Sequence, residues 1–148
     1  RRFRKEWLRT YITYRLMHKD ERALMADFEE VFEHRPEPHV TEVLKYAEPY
    51  LPQWGALGEM VLSTGGTIAL YHRGADGIVD ISPFTCMNGI VCESIYPKVS
   101  RDCEHIPIRT FYFDGTQVDL ENDLGIFMEL VHNYSRRKTR KRAGRRAA

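Results

Sequence analysis

The chain has 148 residues, 43% of them hydrophobic and 11% aromatic, with 22 Lys and Arg against 21 Asp and Glu. That length and apolar content suit one domain with a real core and exclude a disordered chain. No apolar run reaches the roughly 18 residues of a membrane span and no signal peptide is evident.

The near-neutral total conceals an uneven distribution. Ser135 to Ala148 hold eight basic residues and no acid, and the first 22 residues hold eight basic residues and three acids. The middle, Ala23 to Tyr134, is left with six basic and eighteen acidic residues. An acidic body this strong argues against nucleic acid as its partner. The three cysteines carry no disulfide-framework pattern and, without an export signal, point to a cytoplasmic protein. The chain opens on Arg1 rather than Met, as expected of a piece of a longer protein.

In chain order, Phe3, Trp7, Tyr11 and Tyr14 recur at helical spacing from Arg1 to His18. Asp20 is placed to cap a second helix, with Ala23, Leu24, Phe28, Val31 and Phe32 as its apolar stripe and Pro36 ending it. Residues 1–35 thus form an expected N-terminal helical segment. A short helix near Val40 to Glu48 follows, then a helix-length run from Gly58 to Arg73 capped by Gly74. Gly77 to Ser82 reads as a strand, Ile90 to Arg101 as a helix kinked or shortened at Pro97, and Pro107 to Phe113 as a second strand. A last amphipathic helix runs through Leu120, Leu124, Phe127, Met128 and Val131. Helices alternating with strands predict an α/β domain over residues 36–134: a small parallel sheet with crossover helices, a Rossmann/flavodoxin-like half. Residues 135–148 read as a basic tail appended to it.

Ligands of a parallel α/β sheet gather beyond the carboxyl ends of its strands. Two loops lie there, Pro83 to Gly89 and Asp114 to Leu120, and the first places Cys86 between a strand end and a helix start. Free N–H groups and the helix dipole favour a thiolate at that position, suited to a metal, a cluster or a nucleophilic reaction. The alternative is a small buried hydrophobe. Cys92 and Cys103, roughly 16 Å apart along one helix, cannot share a metal and read as packing residues. Ser63-Thr64-Gly65-Gly66-Thr67 lacks the lysine of a phosphate loop, so close helix packing explains its glycines better. Asp76, Asp80 and Asp114 form a conceivable acid set, and His72 and His105 are candidate bases for Cys86. Ordinary structural roles compete with each of these readings.

Residues 40–134 resemble a specific family through Gly-Glu-Met-Val-Leu-Ser-Thr-Gly (58–65), Gly-Ala-Asp-Gly-Ile-Val-Asp-Ile-Ser-Pro-Phe-Thr-Cys-Met-Asn-Gly (74–89) and Ile-Pro-Ile-Arg-Thr-Phe-Tyr-Phe-Asp-Gly (106–115). They look like the C-terminal dehydratase-like region of the large activase-related proteins of the 2-hydroxyacyl-CoA dehydratase system. The resemblance implies an electron-transfer module in which Cys86 ligates a [4Fe–4S] cluster completed by residues outside this chain. It implies other domains of a parent protein, or a dehydratase-like subunit, as partners. The parent would be an ATP-dependent activator or reductase, and this segment alone is expected to bind no cluster and to be inactive. Asn88 departs from the family, which usually has proline there. From a different class, a non-catalytic α/β interaction domain is the competing expectation.

Overall fold

The computed structural model describes residues 2–28, 38–56, 58–116 and 120–147. The chain divides into two units, Arg1–Glu37 and Pro38–Ala148.

In the first unit, α1 runs unbroken over Arg2–Met25 and ends in a 3-10 turn, Ala26–Phe28. The expected break at Asp20 is not there. No glycine or proline interrupts Met17 to Arg22, and His18 Nδ1 reaches Glu21 Oε2 at 2.8 Å across one turn, so Asp20 lies inside the helix rather than capping a new one. Trp7 stacks on Tyr11 with ring centroids 5.5 Å apart, and Tyr14 meets His18 edge-on. Val31, Phe32 and Pro36 lie outside the described residues.

The second unit has the α/β layout: α2 (Val40–Ala47), α3 (Met60–His72), β1 (Ile78–Pro83), α4 (Met87–Asp102), β2 (Ile108–Phe113) and α5 (Leu120–Ala147). The strands are parallel, Ile78 opposite Ile108 through Pro83 opposite Phe113, with α4 as the crossover. β-Branched and aromatic residues dominate both strands, as a pleated surface favours.

Each junction has a local cause. Gly74, at φ 97°, terminates α3: its N–H donates to Tyr71 and the next N–H, of Ala75, donates to Leu70, satisfying the last carbonyls of the helix. Gly65 lets α2 and α3 touch, since a Cβ there would collide with the Val43 carbonyl. Pro97 does not shorten α4, which continues to Asp102. Pro97 has no N–H to offer the Glu93 carbonyl one turn back, and both residues lie on the exposed side. Meanwhile Cys92, Tyr96 and Val99 anchor the buried side.

Ile68, Ile78, Val99, Cys103, Ile106 and Tyr134 form the core, packed near the amino ends of the strands. Tyr134 belongs to α5, and that helix does not stop where a tail was expected. Residues 135–147 continue it, so a boundary at 134 falls within one element. Lys138 Nζ donates to the Gly74 and Ala75 carbonyls and to Asp76 Oδ1 at 2.7, 3.0 and 2.8 Å. Lys141 meets Glu104 at 2.6 Å. At least these two cations of the basic segment are therefore bonded to the acidic body. No described helix is long and apolar enough to cross a membrane.

Candidate functional site

β1 ends at Pro83, and the chain turns at once into α4. The Phe84 N–H donates to the Phe113 carbonyl, tying the turn to the end of β2, and the Cys86 N–H donates back to Pro83 at 3.1 Å. That closure forces Thr85 to φ 69°, a left-handed conformation uncommon for a β-branched side chain. Cys86 follows as the N-cap of α4, extended at φ −66° and ψ 116°, with its carbonyl accepting from Ile90.

Cys86 thus stands beyond the carboxyl ends of both strands, half-buried and unbridged. The Gly89 N–H first, and the Ser82 hydroxyl second, favour its thiolate and hold the thiol below the ordinary cysteine range. Both act by proximity, since the sulfur makes no capping hydrogen bond to the first turn of α4. These partners are present because α4 docks closely on the end of β1: a Cβ at Gly89 would strike Ser82 Oγ. Asn88 Nδ2 donates to Glu59 Oε2 at 2.9 Å, and its amide rests against Gly58, so the start of α3 and the start of α4 are clasped together. The Asn88 Oδ1 atom is buried without a partner. Tyr112, on the neighbouring strand, donates to Glu93 at 2.7 Å, and burial first, then that bond, pushes its hydroxyl up to about 12.

The other cysteines differ in kind. Cys92 is buried, its sulfur donating to the Met60 carbonyl at 3.5 Å, and burial pushes its thiol up. Burial, with the Asp102 charge second, does the same at Cys103. Both are packing residues, as their spacing implied.

The remaining candidates are dispersed. Asp76 precedes β1 and binds Lys138, whereas Asp114 follows β2, so parallel strands put them at opposite ends of the sheet. Asp114 accepts from the Thr116 hydroxyl and N–H, which hold its carboxyl below the usual range. Asp80 lies mid-strand, half-buried. His72 stacks on Tyr46 at the carboxyl end of α3, and His105, at φ 61°, precedes β2. Both histidines therefore sit towards the amino ends of the strands, away from Cys86. Gly65 and Gly66 lie within packed α3. Among the described residues, no three His, Cys, Asp or Glu side chains converge as a metal site would require.

Ser82, Glu59 and Asn88 carried no signal as site residues in the sequence. The small residues at Gly58 and Gly89 were the available hint of close approach. Compared with models of protein families, with curated proteins and with solved structures, the chain matches none.

Proposed function

We propose that this chain is an iron–sulfur electron-transfer module, part of an activase-related protein of the 2-hydroxyacyl-CoA dehydratase type, with Cys86 as a cluster ligand. The observation that carries the reading is the placement of Cys86: half-exposed at a helix N-cap, beyond the strand ends, with neighbours that favour the thiolate. Thiolates are the protein ligands of such clusters, and the donor chemistry of Cys86 fits one of four positions. Cys92 and Cys103 are buried and supply none of the others, so the remaining ligands would come from residues outside this chain. When bound, the cluster supplies one-electron chemistry. This chain's own residues orient the ligand: Ser82 and Gly89 favour the thiolate form of the sulfur, and the Asn88–Glu59 clasp fixes the turn of α4 that carries it.

The test is anaerobic preparation of the longest natural polypeptide containing this segment, with iron and acid-labile sulfide measured for wild type and Cys86→Ala. The variant is expected to lose most of its iron, and unchanged iron would overturn the ligand assignment. For the 148-residue chain alone, anaerobic reconstitution is expected to leave little or no bound iron.

One observation favours the second reading, a non-catalytic interaction domain. Val79, Ile81, Phe84 and Phe113 form an apolar surface on and beside the sheet, with Ile81 69% exposed. Parallel sheets normally have both faces covered. Under that reading Cys86→Ala leaves both metal content and association of the parent's domains unchanged, while Ile81→Lys weakens the association.

A further inference from the structure

The two edges of the sheet are unlike. In a strand, the N–H and C=O of one residue point to the same side and alternate along the chain. Ile78 donates to the Pro107 carbonyl and Phe84 to the Phe113 carbonyl, so the odd-numbered residues of β2 bond to β1. The backbone groups of Ile108, Thr110 and Tyr112 therefore point outward, and among the described residues nothing pairs with them. The outward positions of β1 are Val79, Ile81 and Pro83, and Pro83 has no N–H to offer. Proline at an edge blunts strand addition, and β2 has none.

Beside the β2 edge lies a cleft of about 560 Å³. Tyr96 and Pro97 of α4 wall one side and Ile126 and Leu130 of α5 the other, with Ile108 and Thr110 at its floor. Ile126 and Leu130 are both exposed, and the Thr110 hydroxyl is buried without a partner. The charged residues of the lining are Glu93, Asp123 and Arg109, leaving one net negative charge; Arg109 reaches Asp123 at 3.8 Å.

We propose that this cleft takes an extended peptide segment from another polypeptide, which adds a third strand to the sheet along β2. The row of outward backbone groups specifies an extended peptide, because only such a chain matches donors and acceptors at every second residue. Residues of α4 and α5 line the cleft beside that edge, so an added strand would lie between the two helices. Alternation then dictates the segment's chemistry: aliphatic side chains towards Ile126 and Leu130, small or hydroxyl side chains towards Thr110, and a net positive charge to match Glu93. A two-stranded sheet gains its missing neighbour, independently of anything bound at Cys86.

The probe is an acetylated, amidated peptide of alternating valine and threonine with a lysine at each end, added to the full chain. Amide hydrogen exchange at Ile108, Thr110 and Tyr112 is expected to slow at least tenfold at saturating peptide, with Val79 and Ile81 unchanged. The same peptide N-methylated at alternate residues is expected to give no protection. Glu93→Lys is expected to weaken binding of the lysine peptide and to favour a glutamate-ended version. Absence of protection, equal protection at Val79 and Ile81, an unaltered preference in the Glu93 variant, or protection that rises with protein concentration without peptide would each overturn the proposal. The last outcome would mean that a second copy occupies the edge.

Discussion

Thr85 holds φ at 69° to close the turn that presents Cys86, although its β-branched side chain disfavours that region. Such a conformation costs on the order of 1–3 kcal/mol, and glycine adopts it freely at about 0.5–1 kcal/mol of extra chain entropy. Thr85→Gly is therefore expected to raise stability by about 1 kcal/mol, read as a higher urea midpoint with unchanged slope. The neighbouring thiol gives a second test. Because the Gly89 N–H and the Ser82 hydroxyl lower its pKa, Cys86 is expected to be alkylated by iodoacetamide with a pH midpoint below that of an ordinary cysteine. Ser82→Ala should move that midpoint upward. Cys92 and Cys103, with raised thiols in the core, should react only on unfolding. The position of Cys86 was legible from Ser-Pro-Phe-Thr-Cys-Met-Asn-Gly, since a strand, a proline and a helix start follow one another there. Its partners were not. Ser82 and Gly89 meet only because α4 docks at one particular depth, and Glu59 reaches Asn88 across 29 residues.

Elements with a local signal were legible, and those decided by continuity were not. Both strands show β-branched or aromatic runs ended by proline or by Asp-Gly, and they form where those signals place them. Asp20 misleads because aspartate suits an N-cap and an exposed helix interior alike, so an unbroken ladder of helical residues prevails. The basic run after Tyr134 lacks a helix breaker until Gly144, and α5 simply continues through it. Adjacent glycines in α3 show how packing divides residues that look equivalent in sequence. Gly65 faces the Val43 carbonyl, whereas a Cβ at Gly66 would meet nothing within 4 Å. Gly65→Ala is expected to destabilise by about 1–3 kcal/mol, the range of overpacked cores. Gly66→Ala should stabilise by about 1 kcal/mol through helix propensity alone. Thermal unfolding of the two variants checks both signs, and equal effects would contradict the α2–α3 contact.

The charge asymmetry of the whole chain acquires a structural meaning through α5, because part of its basic half is bonded to the acidic body. Lys138 is the deepest such cation, its side chain 12% exposed among three oxygens at the end of α3. Hydrogen bonds to charged groups contribute roughly 1.5–3 kcal/mol, so Lys138→Ala should cost about 2 kcal/mol in urea unfolding. Tyrosines set the alkaline limit of the same body. Burial first raises Tyr50 and Tyr134 from 10.0 to about 12, helped at Tyr50 by its hydrogen bond to Asp102. Below pH 10 both hydroxyls are protonated in the folded and unfolded chain, and their stabilisation is complete. From about 10 to 12 the unfolded tyrosines ionise while the folded ones do not, so stability falls as pH rises through that window. The two residues separate by substitution. The Tyr134 hydroxyl is buried without a partner, so Tyr134→Phe should be neutral or stabilising at pH 7 and should flatten the alkaline loss. Tyr50→Phe gives up the 2.8 Å bond to Asp102 and should destabilise at pH 7, while likewise flattening the loss above pH 10. Urea midpoints against pH, with tyrosinate absorbance followed in parallel, check both; an alkaline loss as steep in the two variants as in wild type would remove these tyrosines as its cause.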